Sequence, residues 1–195
     1  MNMRVFYKSL LSLLGFFSVQ MKADTEVNVA RWGTAVQSTT FYGWYAQRAV
    51  DGSGYFCSRT NEQTDPWWKL DLKNMYTVNR VTITNRLMCC VNWINGAEIR
   101  IGNDSSVLGN PVCATVSSIP GGATNSFSCP GMKGRYVTVN IPGTLKTVTF
   151  CEVGVYVNYP DAALPLPTLP QEVPTDLLPD EEDPVSQEDS CEDET

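Results

Sequence analysis

Pro66-Trp67-Trp68-Lys69-Leu70-Asp71-Leu72 decides the fold. From Trp68 onward the run alternates, with Trp68, Leu70 and Leu72 on one side of an extended chain and Lys69 and Asp71 on the other. Successive side chains of a strand point to opposite faces, so this pattern predicts a half-buried β-strand. Working outward, Val78 to Arg86 alternates likewise, with Val81, Ile83 and Asn85 sharing a face. Ala97 to Gly102, Arg135 to Ile141 and Val148 to Val157 continue the pattern, and Val112 to Ser118 and Asn125 to Cys129 are shorter strand candidates. Gly, Pro, Asn and Ser punctuate these runs; there is no helical period of useful length and no internal repeat. Short strands at such spacing predict one all-β domain, an antiparallel sandwich or barrel.

The chain has 195 residues, 14 Lys and Arg against 21 Asp and Glu, a net charge of −7, seven cysteines and no histidine. Without histidine there is no Ser-His-Asp or Cys-His site, no HExxH zinc site and no histidine pH switch. The acids also form no convincing acid/base pair, and no enzyme is expected. The average charge hides a division. Residues 1–23 read as a signal peptide: Arg4 and Lys8 precede the apolar run Ser9 to Val19, which falls short of the ~20 residues that span a bilayer. Residues 160–195 hold seven prolines, twelve acids and no Lys or Arg, a composition that predicts a disordered acidic tail. The domain between them, residues 24–159, carries 11 bases and 9 acids. It is slightly basic, and the negative charge belongs to the tail.

Six cysteines, Cys57, Cys89, Cys90, Cys113, Cys129 and Cys151, lie in the domain, and Cys191 lies in the tail. In a secreted domain six cysteines suggest three disulfides, and spacing alone leaves every connectivity open. Without histidine a zinc site needs four clustered thiolates, which the spacing does not offer. Cys89 and Cys90 are neighbours. Their Cα atoms sit about 3.8 Å apart, below the ~4.4 Å of an ordinary disulfide, so spacing alone favours each pairing elsewhere. Cys191 is available either for an intermolecular bridge or for capping by a small thiol.

Eight stretches in order then resemble one family: Asn28 to Gly33, Ala49 to Gly52, Asp65 to Leu72, Val81 to Arg86, Cys89-Cys90, Asn95 to Gly102, Gly134 to Val139 and Cys151 to Val153. Together they resemble the F-type lectins, or fucolectins, across residues 28–157. The resemblance implies an eight-stranded jelly-roll β-sandwich of the discoidin-like type. It implies the disulfides Cys57–Cys151, Cys113–Cys129 and Cys89–Cys90, the last an apolar platform for a sugar ring. Closing a loop as long as the first stabilises by about 4–5 kcal/mol in the chain-entropy model. A structural Ca²⁺ is implied as well. Asp51 and Glu152 would supply carboxylates, and Arg48, Ser53, Phe56 and Cys151 carbonyl oxygens, the hard donors that Ca²⁺ requires.

The sugar-binding motif of the family departs here. Its histidine position is Arg59, in Cys57-Ser58-Arg59-Thr60. Its first arginine is kept as Arg86, the aspartate that follows is Met88, and the second arginine is Trp93. Arg59, Arg86, Cys89, Cys90 and Trp93 are therefore the expected sugar-binding residues. Two arginines without an acid suit a sulfated or sialylated glycan better than neutral fucose. The expected function is a secreted, calcium-stabilised lectin that recognises glycans on cell or microbial surfaces in innate defence, as a homo-oligomer because single lectin sites are weak. It would bind neither nucleic acid nor a membrane interior. The rival reading is a non-sugar protein-interaction module on a lectin scaffold.

Overall fold

The computed structural model describes residues 26–158. The expected signal peptide, the acidic tail and Cys191 lie outside the described residues. Among those described there are nine strands: β1 (Glu26–Asn28), β2 (Thr34–Gln37), β3 (Ser58–Arg59), β4 (Trp67–Thr84), β5 (Glu98–Gly102), β6 (Val112–Thr115), β7 (Thr124–Asn140), β8 (Thr149–Phe150) and β9 (Glu152–Asn158). They form a sheet in the order β1-β9-β4-β7-β5-β6, with β2 added against β4, and a separate β3-β8 pair. Every pairing is antiparallel.

The strand count differs from the sequence expectation for two reasons. The runs around Trp68 and Ile83 are one strand of 18 residues, and Asn125 to Cys129 joins Arg135 to Asn140 in one of 17. Val148 to Val157 is instead divided at Cys151 into β8 and β9. The two long strands bend the sheet into a sandwich. The first part of β4 pairs with β2 through Trp68–Asp71, and the second pairs with β9 from Val78 to Thr84. Strand β7 follows β4 through both parts, and β5 attaches to its C-terminal half.

The core lies inside this fold. Trp68, Leu70 and Leu72 are fully buried from the first part of β4, and Val81 and Ile83 from the second. Ile99, Ile101, Val137, Val139, Val153 and Val155 meet them. Burying each such side chain contributes roughly 1.5–3 kcal/mol. Trp68 and Phe150 pack edge to face, 5.3 Å between centroids, and the Trp68 indole N–H donates to the Ala46 carbonyl at 2.9 Å. The buried parity changes along β4, from even positions up to Val78 to odd positions from Val81. A bulge causes the change: from Val78 to Arg80 the strand advances two residues while β9 advances one, Val157 to Tyr156.

Two disulfides staple the fold, Cys57–Cys151 and Cys113–Cys129. The sulfurs of Cys89 and Cys90 lie 3.0 Å apart, a contact distance and not the ~2.0 Å of the bond that the resemblance implies. Cys90 lies in the left-handed region at φ 65°. The Cys57–Cys151 bridge closes 94 residues of chain. The double variant Cys57→Ser/Cys151→Ser is therefore expected to lose about 2–5 kcal/mol in equilibrium denaturation.

Asp71 of β4 takes a two-pronged hydrogen bond from Arg135 of β7, 2.7 Å from Nε and 2.8 Å from Nη2. Chiefly through Arg135, and helped by the Lys73 backbone N–H, its carboxyl is lowered from 3.8 to about 2. A folded-state pKa below the unfolded one gives stability that is present above pH 3.8 and is lost as pH falls towards 2. Acid titration followed by circular dichroism is expected to show a smaller loss over that window in Asp71→Asn than in the parent.

Candidate functional site

Arg59 ends β3, and the loop before it is laced around its backbone. Its N–H donates to the Trp44 carbonyl at 3.1 Å, and its carbonyl accepts from the Phe41 N–H and the Gln37 side-chain amide, each at 3.0 Å. Its guanidinium carbon lies 3.7 Å from the Phe41 ring centroid and 4.9 Å from that of Trp93. Trp93 sits in the short 3-10 turn Val91–Ile94, entered through Cys89 and Cys90. Arg86 follows the end of β4. Its guanidinium packs on another aromatic of the same loop, 4.9 Å from the Trp44 centroid. Cations on ring faces gain about 0.5–2 kcal/mol, more when desolvated.

Asn85 fixes Arg86 from behind. Buried at the inner parity that the sequence predicts, it donates to the carbonyls of Val91 and Ile119 and accepts the Arg86 N–H. Arg86 is only 8% exposed, and its buried Nη1 has no hydrogen-bond partner among the described residues. Buried donors are nearly always satisfied, so an open one on a cation is a site prepared for an acceptor. The residue at the aspartate position does not supply it, because Met88 points into solvent at 78% exposure.

The structure thus joins Arg59 to Trp93 directly, and Arg86 to both through the Phe41–Trp44 loop. Sequence reasoning missed Phe41, Trp44 and Asn85 as site residues. The dense aromatic run Phe41-Tyr42-Gly43-Trp44-Tyr45 was the available signal. The Trp93 ring is in contact with the Arg59 guanidinium.

The second group of expected residues gathers where β9 begins. Glu152 opens β9, and Asp51 follows the 3-10 turn Ala46–Val50. The Gly52 N–H donates to Glu152 Oε2 at 3.3 Å, and the Ser53 N–H to Asp51 Oδ1 at 2.8 Å. The Cys57–Cys151 bridge pins the end of this loop beside Glu152. Arg48 packs over Phe56 at 5.1 Å. Burial first, and then the Asp51 charge, pushes the Glu152 carboxyl up to about 7. Two carboxylates brought into electrostatic contact at such cost are hard oxygen donors of the kind a divalent cation takes. Among the described residues no cluster of three or more His, Cys, Asp or Glu side chains could hold a metal, so backbone carbonyls would complete the shell.

A bent antiparallel sandwich with cations and aromatic rings gathered at its loops defines a ligand-recognition module. Residues 48–139 match the family model of the NedA-like, galactose-binding domain. A fucolectin of Anguilla anguilla is 41% identical over 153 residues, covering 71% of this chain and 96% of that protein. An F-lectin (fucolectin) from Morone saxatilis serum superposes with a TM-score of 0.66 at 42% identity, over 69% of this chain and 48% of that one. The chain therefore spans about half the length of the striped bass lectin. The lectin domain of lectinolysin, complexed with Lewis B antigen, gives a TM-score of 0.61 at 27% identity over 68% of this chain and 98% of that one. The chain belongs to the F-type lectins, a family of non-enzymatic carbohydrate-binding modules. No helix among the described residues is long and apolar enough to cross a membrane.

Proposed function

We propose that this chain is a secreted lectin whose site has changed from fucose to acidic glycans and which acts by recognition in innate defence. One observation carries this reading: the buried Arg86 Nη1 without a partner, beside a second cation, Arg59, in one aromatic frame. A sulfate or carboxylate oxygen would complete the Arg86 guanidinium with a charge-assisted hydrogen bond, with the Arg59 charge beside it. Closure of Cys89 and Cys90 into a bridge in an oxidising compartment would add the apolar platform next to Trp93. Several copies acting together would raise a weak single-site affinity. A second reading, a protein-interaction module, draws on Leu87 and Met88, exposed at 75% and 78% beside Arg86.

Ca²⁺ belongs to the same proposal. Asp51 and Glu152 would hold it with the carbonyls of Arg48, Ser53, Phe56 and Cys151. Its chemistry would be structural, neutralising the two carboxylates and tying the loop after Asp51 to β9. Calcium added after chelation is expected to raise the melting temperature, with roughly 2.7 kcal/mol of stabilisation at a hundredfold excess over Kd. Differential scanning calorimetry checks this, and Glu152→Gln should abolish the response.

A glycan array tests the ligand class. Sulfated or sialylated structures are expected to bind, and Arg86→Ala should weaken them about tenfold or more. Binding confined to neutral fucosylated glycans would overturn the altered specificity. Absence of glycan binding at any density would favour the protein-interaction module.

A further inference from the structure

A cleft of about 410 Å³ lies away from the arginine group and shares no lining residue with it. Its floor is built by register. Trp67 of β4, Asn140 of β7 and Glu98 of β5 are cross-strand partners in one row, so their side chains share a face. Arg100 clamps this row, donating to Glu98 Oε2 at 2.6 Å and to Asn140 Oδ1 at 3.1 Å, while the Asn140 amide donates to Glu98 at 3.3 Å. Two rows along, on the same face and between Lys69 and Arg100, Thr138 is fully buried and its hydroxyl has no partner among the described residues.

Both lips are fixed. The loop from Asn103 to Asn110 is closed by Asn110, which exchanges hydrogen bonds of 2.9 and 2.8 Å with the Asp104 backbone. It is fastened to the sheet by Arg100 to the Asn110 carbonyl and by Lys69 to the Ser105 carbonyl. Leu108, 59% exposed, stands on this lip. On the other lip, Asp65 exchanges hydrogen bonds with the Gly143 backbone, at 2.8 Å from its N–H and 2.7 Å to its Oδ1.

We propose that this cleft is a second binding site, for an uncharged, hydroxyl-rich pyranoside. The volume fits a mono- or disaccharide. Trp67 offers an aromatic face to the C–H side of a sugar ring. Asp65 and Glu98 each have one carboxylate oxygen engaged, and the other is an acceptor for a sugar hydroxyl. Among the lining residues Glu98 is paired with Arg100, and Asp65 leaves one further negative charge, which disfavours an anionic ligand. Its open groups are acceptors, the reverse of the donor-rich arginine site, and they reject sulfate and carboxylate. The site depends on none of the residues proposed for acidic glycans, so either reading can fail alone.

The test titrates lactose and the methyl pyranosides of glucose, galactose and mannose into the ¹⁵N-labelled full chain, with sialyllactose as the anionic counterpart. The readout is the Trp67 indole N–H resonance, assigned with Trp67→Phe. At least one uncharged sugar is expected to shift this signal saturably, with a Kd of about millimolar order, in the parent and equally in Arg86→Ala. Asp65→Asn keeps the oxygen that holds Gly143 and tolerates φ 49°, so the lip stays folded. It should weaken binding about tenfold. No saturable shift up to roughly 50 mM of any of these sugars would overturn the proposal. So would a shift unchanged by both Asp65→Asn and Glu98→Gln, or one seen only with sialyllactose.

Discussion

The bond between Cys57 and Cys151 is the constraint on which the functional end of this lectin depends. Next to it, β3 and β8 form a ladder too short to persist alone, pairing Ser58 with Phe150 and Arg59 with Thr149. Side chains reinforce the ladder: the Ser58 hydroxyl donates to the Phe150 carbonyl, and the Thr149 hydroxyl to the Ser58 carbonyl. This places Arg59 on the Phe41 ring, and the same bond brings the loop after Asp51 to Glu152. The Cys151 N–H donates to Thr84, the last residue of β4, so the strand leading to Arg86 is anchored at the same point. Two groups of functional residues therefore hang from one covalent link.

The chemistry around Arg86 shows how a scaffold can keep a residue while its setting changes. Its guanidinium remains buried, stacked on Trp44 and backed by Asn85, although the position two residues on is an exposed methionine and not an acid. Leaving a buried donor open costs about 1–3 kcal/mol, and a charged one costs more. A fold retains such a cost most readily where a ligand repays it. Charge assists the contrast between surfaces: the domain is slightly basic, and the acids of the chain are concentrated beyond it.

Much of the fold was legible because alternation reports burial directly. Trp68, Leu70 and Leu72, and then Val81 and Ile83, are buried as their spacing predicts. That both sets belong to one strand was not legible. Lys73, Asn74 and Met75 between them are exposed, and Lys73 has φ 68°, so the link reads as a turn in any local window. The arginines were visible through resemblance, whereas Phe41 and Trp44 carry no period and reach the site only through the backbone hydrogen bonds of Arg59. The cleft on the sheet face was hidden for another reason. Trp67, Glu98 and Asn140 are far apart in sequence, and only antiparallel register sets them in one row.

The bulge in β4 works as a phase marker. Before it, the buried side chains of the strand are even-numbered; after it, they are odd-numbered. Removing the single extra residue would shift the reading frame of everything downstream. Arg80 and Thr82 would then turn inward, Val81 and Ile83 would face water, and Asn85 would leave the carbonyls of Val91 and Ile119 that it now holds. Arg86 would rotate off Trp44 in the same step. The orientation of the buried cation is thus written several residues upstream, in a backbone irregularity that touches no ligand.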